Sequence, residues 1–161
     1  MKLSPKLTDS LNSQIGREFF AQVQYVAMAA WFEEQGLPGF AKFFYKQAAE
    51  ETQHALKFVR YLADVDGKVA IPAITEPRRE WGSVQDAIRG FLEAEEDVTR
   101  RIWAMVEVAQ ADKDLSTFQF LQWFVAEQRE EESSARSLLD RTIRLGEERV
   151  ALLDVSLGGE E

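Results

Sequence analysis

The amino-acid sequence predicts an all-α protein: a four-helix bundle with one long crossover and a short fifth helix near the C-terminal end. Apolar residues recur with the three- and four-residue spacing of amphipathic helices over four stretches of about 30 residues each. The connections within the first and the second pair of stretches are short, whereas the middle connection is long and contains Pro72, Pro77 and Gly82. Four helices of this length favour a bundle.

Residues that start or stop helices mark the boundaries. Ser4 can cap the first helix, which then begins with Pro5, and Gly67 stops the second helix. Residues 67–82, if extended, reach about 50 Å, which is enough to cross the whole bundle. Two antiparallel hairpins joined end to end are therefore predicted. The predicted helices span residues 5–35, 38–66, 83–111, 115–145 and 147–157.

The fifth helix carries Val150, Leu153 and Leu157 on one side. A monomeric bundle has no obvious need for it, which favours packing against a neighbouring molecule. A single domain over residues 1–161 is the default for a chain of this length.

Composition limits the possible functions. The chain has no cysteine, which excludes disulfides, thiolate zinc sites and iron–sulfur clusters and leaves oxygen and imidazole ligands for any metal. A formal charge of −9 argues against nucleic acid as a partner. The sequence shows neither a targeting segment nor an apolar run long enough to cross a bilayer. We therefore expect a cytoplasmic protein without a membrane partner.

Each long helix carries a glutamate on its inward face, close to the helix midpoint. Because the midpoints of equally long bundled helices lie at one level, the four carboxylates should converge. Ionised carboxylates buried without a cation would be strongly destabilising, and no Lys or Arg occupies the central inward positions. The pattern predicts that bound cations, such as two divalent metal ions, supply the positive charge. The four residues are Glu18, Glu51, Glu95 and Glu131.

The only histidine, His54, lies three residues after Glu51 and therefore on the same face of the helix. Oxygen ligands with one imidazole suit iron or manganese better than a structural zinc ion. Taken alone, a histidine is more often a hydrogen-bonded residue, and Glu127–Glu132 would be a solvated helix face. Four glutamates at one level beside the histidine favour the metal site.

At these residues the sequence resembles the non-haem ferritins of bacteria and archaea, over nearly the whole chain. The most specific stretches are Glu18 with Tyr25, EETQH at residues 50–54 and FLQWFVAEQREEE at residues 120–132. The resemblance implies a ferritin-like bundle that oxidises Fe(II) to Fe(III) with oxygen or peroxide. It also implies storage of the ferric mineral inside a hollow homo-oligomeric cage of 24 subunits.

The resemblance implies a two-iron ferroxidase centre. Glu18, Glu51 and His54 would hold the first iron, and Glu51 would bridge to a second iron held with Glu95. Gln128 would lie beside the second iron.

The resemblance also implies a third, weaker iron position and a nearby tyrosine. Tyr25 would hydrogen-bond the centre or donate an electron to it. The implied ligands of the third iron are Glu50, Glu127, Glu130 and Glu131.

Two features of the sequence differ from those of bacterioferritins and so indicate which type of ferritin it resembles. The fourth helix has no histidine within residues 127–130, unlike bacterioferritins and di-iron oxygenases, and Thr52 replaces the haem-ligating methionine of bacterioferritins. We therefore expect no haem.

Two other functions stay open. One alternative is a small di-iron oxidase or peroxidase that stores nothing. The other is a metal-free structural or DNA-protecting bundle like the miniferritins, against which the four inward glutamates argue.

Overall fold

The computed structural model describes residues 3–160 and contains four long helices and one short one. Among these residues there is no strand, and no helix is both long and apolar enough to span a membrane. The predicted fold class, with its long crossover and short last helix, is confirmed. The helices are α1 (Pro5–Glu34), α2 (Pro38–Asp64), α3 (Val84–Ala111), α4 (Leu115–Leu145) and, after a 3-10 turn at Glu147–Arg149, α5 (Val150–Gly159).

Polar side chains begin three of the long helices. Ser4, Ser83 and Asp114 each accept a hydrogen bond from the backbone N–H three residues further on. At the other end, α2 stops at Asp64, whereas the sequence predicted residue 66. The backbone leaves the helix there because Asp66 adopts a φ of 53°.

The crossover between α2 and α3 is fastened to α1 by two amide side chains. Asn12 donates to the carbonyl of Lys68 (2.8 Å) and accepts from the N–H of Ala70 (2.7 Å). Gln24 donates to the carbonyl of Arg78 (3.0 Å) and accepts from its N–H (2.9 Å). These two residues lie about 18 Å apart along the helix, since each residue of a helix rises 1.5 Å. The crossover therefore runs in the direction of α1 and starts α3 near the end of α1.

Two apolar clusters fill the bundle, one on each side of a polar layer. On α1, Ile15 belongs to one cluster and Ala21 to the other, with Glu18 between them. On α3, Phe91 belongs to one cluster and Val98 to the other, with Glu95 between them. The core thus isolates the central glutamates from solvent at both ends.

The short helix α5 packs on α2 of its own chain, and the contact with a neighbouring molecule that the sequence favoured stays a prediction. Val150, Leu153 and Leu157 are buried within the same apolar cluster as the start of α2. Asp154 Oδ1 accepts the N–H of Phe40 at 2.9 Å. Because α2 has no side-chain cap of its own, this carboxylate caps it from a distant part of the chain.

The 3-10 turn before α5 supplies a second cap of the same kind. The carboxylate of Glu147 accepts the N–H groups of Val84 (3.3 Å) and Gln85 (3.0 Å), in the first turn of α3. The C-terminal segment therefore satisfies free N–H groups at the start of two helices far away in sequence.

Replacing Gly39 by alanine should displace α5. A β-carbon at position 39 would lie 1.8 Å from the carbonyl oxygen of Asp154, so the two helices would have to separate. We expect a loss of about 1–3 kcal/mol, as for other overpacked contacts. The measurements are the melting temperature and the rate of limited proteolysis within residues 147–160.

Gly90→Ala is the matched control. A β-carbon there would have its nearest neighbour at 4.0 Å, and alanine favours a helix over glycine by up to about 1 kcal/mol. Its melting temperature should be unchanged or higher. Equal melting temperatures for the wild type and Gly39→Ala would contradict the close packing of α5 on α2.

Candidate metal centre

Four buried carboxylates occupy the polar layer, one on each long helix. Their residues are between 1% and 6% exposed. Within the described part of the chain, none of them pairs with a Lys or Arg, and the nearby Arg17 bonds Asp97 instead (3.3 Å). The sequence prediction that no Lys or Arg side chain neutralises this layer therefore holds for the described residues. The four residues are Glu18, Glu51, Glu95 and Glu131.

Three of the predicted ligands form a compact group. One ligand atom from each of Glu18, Glu51 and His54 lies within 4.8 Å of the others. His54 Nδ1 is 3.4 Å from Glu51 Oε2, and Glu18 Oε2 is buried without a hydrogen-bond donor. A buried carboxylate oxygen without a donor is costly unless a cation binds it. These three side chains are therefore a suitable donor set for a divalent ion of the iron or manganese type.

Glu95 lies outside this compact group and is held by two donors. The hydroxyl of Tyr25 donates to Oε1 of Glu95. Gln128 Nε2 donates both to Oε2 and to the backbone carbonyl of Glu95, each at 3.2 Å. Both oxygens of Glu95 therefore have a hydrogen-bond partner, whereas Oε2 of Glu18 has none among the described residues. Three of the predicted site residues, Tyr25, Glu95 and Gln128, are thus linked by hydrogen bonds.

A second group lies on the α4 side of the histidine. His54 Nε2 is 3.8 Å from Glu127 Oε1, and Glu131 completes a set whose ligand atoms lie within 4.8 Å of one another. Glu50 and Glu130 line the same cavity of about 380 Å³ between α2 and α4 without joining this set. The imidazole ring therefore lies between the two groups of carboxylates.

Burial raises the pKa of the central carboxyl groups. The pKa values of Glu18, Glu51 and Glu95 lie above the ordinary range, because burial disfavours the charged form and neighbouring carboxylates repel it. Burial, followed by repulsion from Glu95, raises the pKa of Glu131 to about 8. Burial and the charge of Glu95 also raise the pKa of Tyr25, which keeps its hydroxyl a donor. Without a cation the site holds protons that a metal would displace.

Comparison with known proteins identifies the family. The ferritin-like domain matches residues 8–145. The bacterial non-heme ferritin of Staphylococcus aureus (strain USA300) is 37% identical over 150 residues, covering 93% of this chain and 90% of that protein. That of Staphylococcus haemolyticus (strain JCSC1435) is 39% identical over 146 residues, covering 91% and 88%. The chain belongs to the ferritin family.

Ferritins of known structure share the fold. The open-pore ferritin of the hyperthermophilic archaeon Archaeoglobus fulgidus superposes with a TM-score of 0.96 at 38% identity, covering 99% of this chain and 100% of the other. An engineered closed form of that ferritin gives 0.94 at 38% identity and covers 99% of each chain. The resemblance predicted from the sequence is confirmed, and membership of the ferritin family supports iron storage.

Two buried amides of this ferritin-like site were not predicted from the sequence. Gln14 Nε2 donates to Glu18 Oε1 at 2.8 Å. Gln47 Nε2 donates to Glu50 Oε2 at 2.8 Å, and its own Oε1 is buried without a donor. The four-residue spacing between Gln14 and Glu18 is the one feature of the sequence that indicates their contact. It did not identify Gln14 as a site residue because a buried amide is neutral and, unlike a buried carboxylate, does not require a cation.

Proposed function

We propose that this chain oxidises Fe(II) to Fe(III) at a di-iron site inside the bundle and stores the product as a ferric mineral. The supporting observation is the layer of four buried carboxylates, in which Glu18 Oε2 has no hydrogen-bond donor among the described residues. Two divalent ions would balance these four charges. Membership of the ferritin family favours iron over manganese as the substrate.

The first iron would bind to Glu18, Glu51 and His54. The second would bind between Glu51 and Glu95, with Gln128 beside it. Two ferrous ions held side by side can each give one electron to a shared oxidant, without waiting for a second encounter. With oxygen, two electrons and two protons yield hydrogen peroxide. With peroxide, they yield two water molecules.

Tyr25 would keep Glu95 in place through its hydroxyl and could supply a further electron. Iron leaving the centre would pass the imidazole and reach Glu127 and Glu131. Glu50 and Glu130, which line the same cavity, would complete this weaker third position. We propose no haem in this scheme.

The proposed storage form is a hollow shell of 24 subunits. Because one chain has a mass of 18.4 kDa, 24 chains would have a mass of about 440 kDa, which light scattering after size exclusion measures directly. Incubation with Fe(II) in air should load many more irons per chain than the three proposed positions can hold. A dimer that never takes up more than a few irons per chain would instead support a di-iron oxidase without storage.

A further inference from the structure

Gln14 is a buried, uncharged residue whose side chain donates a hydrogen bond to Glu18, a proposed ligand of the first iron. It is 1% exposed, and its Nε2 donates to Glu18 Oε1 at 2.8 Å. The other oxygen, Glu18 Oε2, has no donor. The two oxygens of Glu18 are therefore different: one is tied to α1, and the other is free to bind an ion.

We propose that Gln14 is a positioning residue that selects which oxygen of Glu18 binds the first iron. This inference rests on the proposed function. A free carboxylate can turn so that either oxygen, or both, faces an ion. The hydrogen bond from Gln14 would restrict that freedom, so that Glu18 would bind the first iron through Oε2 and leave room there for the oxidant.

The opposite side of the centre uses an amide in a comparable way. Gln128, on α4, donates to Glu95 Oε2 at 3.2 Å, as Gln14, on α1, donates to Glu18 Oε1. The difference is that Glu95 has a second donor, Tyr25, on its other oxygen. Of these two glutamates, Glu18 therefore has one oxygen held by an amide and one oxygen without a hydrogen-bond partner among the described residues.

Gln14 also lines a cavity of about 480 Å³ between α1 and α3, together with Arg101 and Met105. Its amide nevertheless donates to Glu18, so this hydrogen bond helps to hold the orientation of the side chain.

The test uses Co(II) as a probe that oxygen does not readily oxidise in this site. Calorimetric titration of the assembled protein should show two Co(II) ions per chain in the bundle. In Gln14→Met, which keeps the size of the side chain but lacks the donor, the first position should bind Co(II) about 10–100-fold more weakly, as when other supporting partners of metal ligands are lost. Binding at the second position should be unchanged.

Anomalous scattering at the cobalt edge assigns each affinity to a position and shows the ligand atoms. Wild-type crystals should show Glu18 bound through Oε2 only, and Gln14→Met crystals should show both oxygens bound or a lower occupancy. Gln14→Asn, shorter by one methylene, withdraws the amide from Glu18 and should act in the same direction if Gln14→Met does not fold. Gln24→Leu is the control: it removes a hydrogen bond from another amide side chain of α1, which donates to the crossover rather than to a ligand. The Co(II) affinity of both positions should be unchanged.

The outcomes distinguish a failure of the proposed function from a failure of the role of Gln14 alone. If the wild type binds fewer than two Co(II) ions in the bundle, the proposed function fails and this inference fails with it. If the wild type binds two, and Gln14→Met binds both with the same affinity and the same single oxygen of Glu18, only the role of Gln14 is overturned. Equal weakening of both positions would also overturn it, because that result indicates general loosening of the site.

Discussion

Replacing Glu51 by alanine is expected to slow the oxidation of Fe(II) by more than about 100-fold, because loss of a ligand should exceed the 10–100-fold cost of losing a ligand's supporting partner. Glu51 lies in the first compact group with Glu18 and His54, and it is also the proposed bridge to Glu95. Its loss would remove a ligand from both irons at once. His54→Ala should also be slow, since the imidazole would be the only nitrogen ligand in the proposed first position.

Stopped-flow absorbance after addition of two Fe(II) ions per chain measures this rate, and light scattering reports whether the assembly is intact. The matched control is Glu93→Ala, which removes an exposed carboxylate of α3 close to Glu95 in sequence. Its oxidation rate should equal that of the wild type. Unchanged kinetics in both Glu51→Ala and His54→Ala would refute the proposed ferroxidase centre.

The metal-free protein should lose stability as the pH rises from about 4.5 to about 8. In the unfolded chain Glu131 releases its proton near its ordinary pKa of 4.5, whereas burial in the folded protein raises that pKa to about 8. Between these values the folded state binds more protons than the unfolded state, so each pH unit costs up to about 1.4 kcal/mol. The raised pKa values of Glu18, Glu51 and Glu95 act in the same direction.

Thermal melting of chelator-treated protein across this range tests the prediction. Glu131→Gln should melt at a higher temperature than the wild type near pH 8 and at a similar temperature near pH 4.5, because the amide cannot titrate. Glu93→Gln, at an exposed position, should follow the wild type. Two equivalents of a divalent ion should abolish much of the decline by displacing the protons. Parallel melting curves for Glu131→Gln and the wild type at every pH would contradict the assignment.

The helices were predictable because their signals are local. The spacing of apolar residues fixes their length, and caps such as Ser4 and Ser83 mark where they begin. The packing of α5 was not predictable in this way. Asp154 and Phe40 are 114 positions apart in the sequence, and no local pattern indicates that a carboxylate of one helix will cap another.

The candidate site was predictable to the level of residue type, but not to that of individual atoms. Glutamates at the midpoints of equally long helices must lie near one another, so the burial of Glu18 and Glu95 followed from the spacing alone. Which oxygen of each is free depends on hydrogen bonds from Gln14, Tyr25 and Gln128. Those bonds depend on side-chain rotation and on contacts between helices, which the helical period does not specify.

The two helix caps that follow α4 in the sequence have a consequence for folding during synthesis on the ribosome. A chain emerging from a ribosome can form its first hairpin early, since neighbouring helices pack as they appear. The N–H groups of Phe40, Val84 and Gln85 nevertheless lack these carboxylate partners until Glu147 and Asp154 have been synthesised. Until those residues are released, the bundle is incompletely capped at one end. The nascent chain should therefore complete the caps of these two helices only after residues 147–154 have left the ribosome.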